Sequence, residues 1–239
     1  MIKDETQRFF IDGMQKINLT HSKHVTELMR QLENVTNNEL PPGFTLQEKY
    51  PSTKDLRPEP WAFAPEILRI VTDSDVSSYL NSLSGQRLIL RHVQVRIAYP
   101  SKSSYMNWHR DTHKYHKDNA VGNFPPVFKL IIYPKNESEP TGPVLLLSRG
   151  SHLRYLKSRF WDILLNGFIG GAERIYPDNE SGVFFNTFLM HKAMSPKDGS
   201  AQIRLIYTFT GELQNAPGFD EMLAEEYKKQ LKECEIDRK

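Results

Sequence analysis

The chain has 239 residues, enough for one large domain or two small ones, and its 38% hydrophobic and 11% aromatic content can build a core despite 25% charged residues. A net charge of +2 supplies no field that would by itself recruit nucleic acid or anionic lipid. The single cysteine, Cys234, excludes an internal disulfide, and no window approaches the ~18 apolar residues that a membrane-spanning helix needs.

In chain order, the opening MIKDETQRFF lacks the apolar stretch of a signal peptide, so the expected location is cytoplasmic. From Thr20 onward, Val25, Leu28, Met29, Leu32 and Val35 fall at helical spacing behind the N-cap candidates Thr20 and Ser22. The stretch from Asn37 to Pro65, NNELPPGFTLQEKYPSTKDLRPEPWAFAP, carries too many breakers for regular structure and is expected to form a long connection, a lid candidate. A helix is predicted over Asp73 to Leu83, where Val76, Tyr79, Leu80 and Leu83 share a face.

After Gly85 the period changes. In RLILRHVQVRIAYP, Val93, Val95 and Ile97 alternate with His92, Gln94 and Arg96, the pattern of a strand with one apolar and one polar face. Further strands are expected at Val127 to Pro134, Val144 to Ser148, Ser181 to Met190 and Ala201 to Gly211, with a turn at Thr141 to Pro143. The stretch after His152 reads as helical through Leu153, Leu156, Phe160, Trp161, Leu164 and Leu165, and a last amphipathic helix spans about Phe219 to Leu231. Helices first and several strands in the middle predict an α+β architecture around an antiparallel sheet or barrel, within one domain spanning residues 1–239.

The segment NWHRDTHKYH, Asn107 to His116, admits three readings. As a protein-kinase catalytic loop, His109-Arg110-Asp111 would need an Asn where His116 stands, and the chain has no Gly-rich phosphate loop and no Asp-Phe-Gly. As a zinc-binding helix, His109 and His113 would share a face, with His116 as third ligand, but the Glu that zincins place after the first His is Arg110 here. As an extended segment, it would turn His109 and Asp111 to the same side.

Downstream, His191 follows the apolar run GVFFNTFLM, and Arg204 lies inside the apolar strand QIRLIYTF, where a guanidinium is costly unless it meets an anion. Two histidines and a carboxylate form the facial triad of non-heme Fe(II) oxygenases, which leaves coordination positions open for cosubstrate and dioxygen. The planar fork of Arg204 matches a carboxylate in two bonds.

The segments NWHRDTH, TGPVLLLSRGSH, FNTFLMHKAMSP and QIRLIYTF resemble the phytanoyl-CoA hydroxylase-like family of Fe(II)/2-oxoglutarate-dependent dioxygenases, over roughly Arg87 to Gly211. The resemblance implies a double-stranded β-helix, a jelly-roll or cupin-like barrel of antiparallel strands flanked by helices. It implies His109, Asp111 and His191 as iron ligands and Arg204 as the anchor of the 2-oxoglutarate carboxylate. Gln94 and Lys129 are the candidates for a second cosubstrate contact. Two positions depart from the family's usual pattern: Arg149 replaces the proline before Gly150-Ser151-His152, and Ile206 stands where some relatives place a hydroxyl.

The implied activity binds Fe(II), 2-oxoglutarate and dioxygen and hydroxylates an unactivated C–H bond, releasing succinate and carbon dioxide. Asp111 fills the position that relatives with halogenase activity leave to a small residue, so halogenation is not expected. The expected partner is a small polar metabolite, with no nucleic acid and no membrane. A macromolecular substrate, or a non-catalytic or zinc-binding barrel, is the alternative. The lid candidate and the excursion from His152 to Asp178 are expected to shape the pocket. Trp108, alternating with the ligand pair, is expected to pack away from it, and Arg96 to find a partner in the core.

Overall fold

The computed structural model describes residues 2–19, 40, 42–58, 60, 64, 66–102, 104, 106–111, 127–133, 143–176, 181–197 and 201–211. The predicted helices after Thr20 and near Phe219, together with His113 and His116, lie outside this set. No described helix is long and apolar enough to cross a membrane.

The chain begins with helix α1 (Ile2–Asp12) and strand β1 (Met14–Asn18), joined through Gly13 at φ 76°. Strands β2 (Thr45–Tyr50) and β3 (Thr53–Arg57) follow, then helices α2 (Glu66–Thr72) and α3 (Ser74–Ser84). Helix α3 matches its predicted span. Its N-terminus is capped by Asp73, whose carboxylate accepts from the amides of Asp75 and Val76, and Gly85 closes the other end in the left-handed conformation.

The β-rich part comprises β4 (Leu88–Ala98), β5 (Met106–His109), β6 (Val127–Ile132), β7 (Leu145–Leu147), β8 (Glu173–Ile175), β9 (Ser181–Asn186), β10 (His191–Ala193) and β11 (Gln202–Gly211). Every pairing among the described strands is antiparallel. Seven strands form one sheet in the order β1-β9-β6-β11-β4-β3-β2, and four form a second in the order β5-β10-β7-β8. The architecture is the expected double-stranded β-helix. Its large sheet draws three strands from before Arg87.

Three expectations need correction. The segment read as a breaker-rich connection contains the β2–β3 hairpin. Pro51 and Ser52 make its turn, and Thr53 closes it by hydrogen bonds of its hydroxyl with the Tyr50 amide (3.1 Å) and carbonyl (3.2 Å). The strand expected to run to Met190 ends at Asn186. Its side chain accepts from the Phe188 amide at 2.9 Å, turning the chain before His191 starts a new strand. The helix expected after His152 is divided into a 3-10 turn (Ser151–Leu153), a short helix α4 (Arg159–Asp162) and a π-helical turn (Ile163–Ile169).

Alternation along the large sheet sorts residues onto two faces. Val93, Val95 and Ile97 of β4, with Ile203, Leu205 and Tyr207 of β11, pack outward against Ile67 and Ile70 of α2 and Leu80 of α3. Tyr207 is fully buried and donates its hydroxyl to the Ile67 carbonyl at 2.7 Å, fixing α2 on the sheet. The opposite face turns toward the small sheet: Ile206, Ile131 and Phe185 share a second apolar cluster with Leu145 and Leu147. The polar residues of β4 and β11 lie on this inner face. Arg96 pairs with Asp55 of β3 there, in two bonds of 2.6 and 2.9 Å, the core partnership expected of it.

Candidate metal centre

His109 is the last residue of β5, and β10 places His191 directly across from it. Asp111 follows after one residue, its amide donating to the Thr187 carbonyl at 3.2 Å. His109, at the end of its strand, and Asp111, in the turn just after it, come to one side, and antiparallel pairing delivers His191 to the same point. The imidazole centroids are 4.2 Å apart. Asp111 Oδ1 lies 3.4 Å from His109 Nε2, and Asp111 Oδ2 lies 3.5 Å from His191 Nε2. One donor atom from each of the three residues falls within 4.8 Å of the others.

Backbone carbonyls fix both tautomers. His109 Nδ1 donates to the Asn107 carbonyl at 2.7 Å and His191 Nδ1 to the Leu189 carbonyl at 2.8 Å. Each ring therefore presents the lone pair of Nε2 to the centre, the form a metal requires. His109 Nε2 is buried and has no hydrogen-bond partner, a costly arrangement for a protein group alone. Burial, with His109 alongside, lowers the His191 pKa to about 3, so the ring is neutral at physiological pH. Burial acts to raise the Asp111 carboxyl, but Lys129 and the two histidines outweigh it and hold the group well below the usual carboxylate range. Two imidazoles with Nε2 turned to the centre and one carboxylate constitute a donor set that fits ferrous iron.

The proposed cosubstrate residues lie on the inner face of the large sheet. Lys129 stands beside Thr208 and extends its ammonium to Asp111 Oδ2 at 2.7 Å. Arg204, only 1% exposed, donates to the Met194 carbonyl just beyond β10, and its guanidinium lies 5.5 Å from the centre of the Tyr133 ring. Gln94 occupies the same face opposite Ile206, but among the described residues no hydrogen bond links it to the triad. Trp108 points away as expected, packing edge-on to Phe168 and against Gly167.

Sequence reasoning missed Arg110. It is buried, with Nε donating to Asp162 Oδ2 and Nη2 to Oδ1, both at 2.7 Å. Nη1 donates to the Ser151 carbonyl at 2.9 Å and to the Phe188 carbonyl. Asn166 secures Asp162 from the π-helical turn at 2.7 Å. The signal was present: if His109 and Asp111 face inward, the residue between them faces the other way, and a buried arginine there needs an acid such as the one inside FWDILL. Arg149, at the family's proline position, joins Asp12 at the end of α1 (2.7 Å) to Glu173 of β8. Next to the triad is a cavity of about 230 Å³ lined by His109, Arg110, Asp111, Arg159, Asp162, Ile163 and Met190.

No protein-family model and no curated protein matches the sequence. Solved structures do match. AviO1 from Streptomyces viridochromogenes Tue57 aligns with a TM-score of 0.64 at 16% identity, over 91% of this chain and 98% of its own. SnoN, a non-heme alpha ketoglutarate dependent epimerase from nogalamycin biosynthesis, aligns at 0.65 and 12% identity, over 88% and 83%. HygX from Streptomyces hygroscopicus, with nickel, 2-oxoglutarate and hygromycin B bound, aligns at 0.64 and 14% identity, over 90% and 89%. The likeness is one of fold. The barrel of this chain is the fold of these three proteins.

Proposed function

We propose that the chain is an Fe(II)/2-oxoglutarate-dependent oxygenase that hydroxylates an unactivated C–H bond of a small polar metabolite, with release of succinate and carbon dioxide. One observation carries the reading: both histidines have Nδ1 tied to backbone, and their Nε2 atoms converge with Asp111, His109 Nε2 having no other partner. SnoN, an alpha ketoglutarate dependent epimerase, and HygX, with 2-oxoglutarate and hygromycin B bound, support the cosubstrate and a small-molecule substrate.

In this reading His109, Asp111 and His191 hold the iron, and Arg204 pairs with the distal carboxylate of 2-oxoglutarate. Iron with 2-oxoglutarate and dioxygen supplies the oxidising power that breaks a C–H bond. The chain's own residues do the rest. The backbone carbonyls at Asn107 and Leu189 hold the imidazoles with Nε2 aimed at the centre. Lys129 balances the Asp111 charge, and its ammonium, already at the triad, is preferred to the Gln94 amide for the second cosubstrate contact.

The test is a succinate-production screen over amino acids, nucleosides and biosynthetic intermediates with Fe(II), ascorbate and oxygen, paired with mass spectrometry for the gain of one oxygen. His191→Ala should abolish both 2-oxoglutarate turnover and thermal stabilisation by the metal, whereas His113→Ala should retain them. Metal stabilisation kept in His191→Ala and lost in His113→Ala, without 2-oxoglutarate turnover, would favour the zinc reading and end this one.

A further inference from the structure

We propose that the cavity beside the triad takes a small acid, an apolar body carrying one anionic group, with that group held by Arg159; the assignment of this acid as substrate rests on the oxygenase reading above. The charges lining the cavity lead there. Arg110 and Asp162 cancel, since both carboxylate oxygens are bonded to the Arg110 guanidinium at 2.7 Å. Asp111 is matched by Lys129 at 2.7 Å. Arg159 is left. It lines the cavity, is exposed, and has no ion-pair or hydrogen-bond partner among the described residues.

Its natural partner on the helix would be Asp162, one turn on. That carboxylate is engaged by Arg110 and by Asn166, whose amide reaches Oδ1 at 2.7 Å. The guanidinium thus keeps its paired donors for a ligand carboxylate, sulfate or phosphate, the geometry that arginine recognises best.

The remaining surface defines the other half of the ligand. Ile163 and Met190 give the cavity an apolar wall, and Met190 is an adaptable one. Outside, Phe160 and Trp161 are 68% and 53% exposed, with ring centroids 5.3 Å apart. From Leu153 to Tyr176, each exposed charge is basic: Arg154, Lys157, Arg159 and Arg174. Among the described residues of this stretch no carboxylate is exposed, and a surface that is apolar and positive favours anions over amines.

The test compares carboxylic acids with their own neutral amides on the Fe(II)/2-oxoglutarate holoenzyme under anaerobic conditions, using a series of alkyl and aryl carboxylates and calorimetric titration. At least one acid should bind about tenfold more tightly than its amide. Arg159→Gln should erase that preference with an unchanged melting temperature, and Arg159→Lys should restore part of it. Equal binding of acid and amide, a preference that survives in Arg159→Gln, or no binding by any acid of the series overturns the proposal. So does a loss of 2-oxoglutarate affinity in Arg159→Gln, which would assign the residue to the cosubstrate. Failure of the oxygenase reading shows separately, as absence of 2-oxoglutarate binding by the metal-loaded protein, and the acid–amide comparison can then be made on the metal-free chain.

Discussion

Arg110 and Asp162 meet through two hydrogen bonds of 2.7 Å, both side chains almost wholly removed from solvent. Arg110 separates His109 from Asp111, and its remaining donors hold the Phe188 carbonyl in the turn that precedes His191. One guanidinium therefore ties together the two chain segments that carry the proposed metal ligands. Removing a single partner leaves a buried charge uncompensated, which costs about 3–5 kcal/mol. Asp162→Leu or Arg110→Met alone should lower stability by that order in chemical denaturation. The double variant should recover much of the stability, since apolar replacement of a buried pair is often neutral. It should not recover metal affinity, because the Phe188 carbonyl stays untethered; full recovery of metal binding in the double variant would reduce the pair to a packing element.

Arg204→Ala should weaken 2-oxoglutarate binding by roughly ten- to a hundredfold, the value of a charged hydrogen bond of about 1.5–3 kcal/mol. Lys129→Met should act differently, because its ammonium touches a ligand carboxylate as well as facing the inner surface. Titration of the cosubstrate into the metal-loaded variants checks both. Unaltered affinity in Arg204→Ala would remove that residue from the site.

His152 predicts a pH effect. Its Nε2 donates to the Phe10 carbonyl at 2.9 Å, while Nδ1 is buried without a partner, close to Gly13. Burial lowers its pKa below 6.5, and the Arg110 charge acts in the same direction. The unfolded chain takes up a proton as pH falls through about 6.5 while the folded chain resists, so native stability falls toward acid in that window. His152→Gln keeps a donor for Phe10 and has no such proton. Between pH 7.5 and pH 5, as chosen test conditions, the native melting temperature should drop further than that of the variant; equal drops would refute this assignment.

Gly167 has no room for a methyl group. A Cβ there would lie 2.8 Å from Cγ of Trp108 and 3.0 Å from Cδ2. The indole adjoins His109, so Gly167→Ala should push the ligand strand as well as strain the core. Overpacking of this kind costs about 1–3 kcal/mol. At roughly 2–4 °C per kcal/mol for a chain of this size, the loss is visible in a melting curve. Weakened metal binding should accompany it.

The parts of this fold that were legible in the sequence are those that local pattern determines. Alternation from Val93 to Ile97 identified β4 and its polar face, and the family resemblance pointed to His109, Asp111 and His191, which the fold brings together. The hidden parts depend on contacts between distant segments or on a single side chain. Strand β1 exists through its pairing with β9, where Met14 lies opposite Phe185. The turn after Asn186 sits inside an uninterrupted apolar run and is set by one amide oxygen accepting from Phe188, which no periodicity registers. The β2–β3 hairpin was masked by its prolines, although Pro51 occupies the turn, where it costs nothing. The Arg110 clamp needed knowledge of which way the ligand strand faces.

Odd and even positions along β4 and β11 answer to different masters. One parity packs beneath the helices; the other faces the small sheet, where Ile206 still belongs to a buried apolar cluster. His92, Gln94 and Thr208, on the inner parity and outside both apolar clusters, can therefore be varied in a library while the layer beneath the helices is left intact.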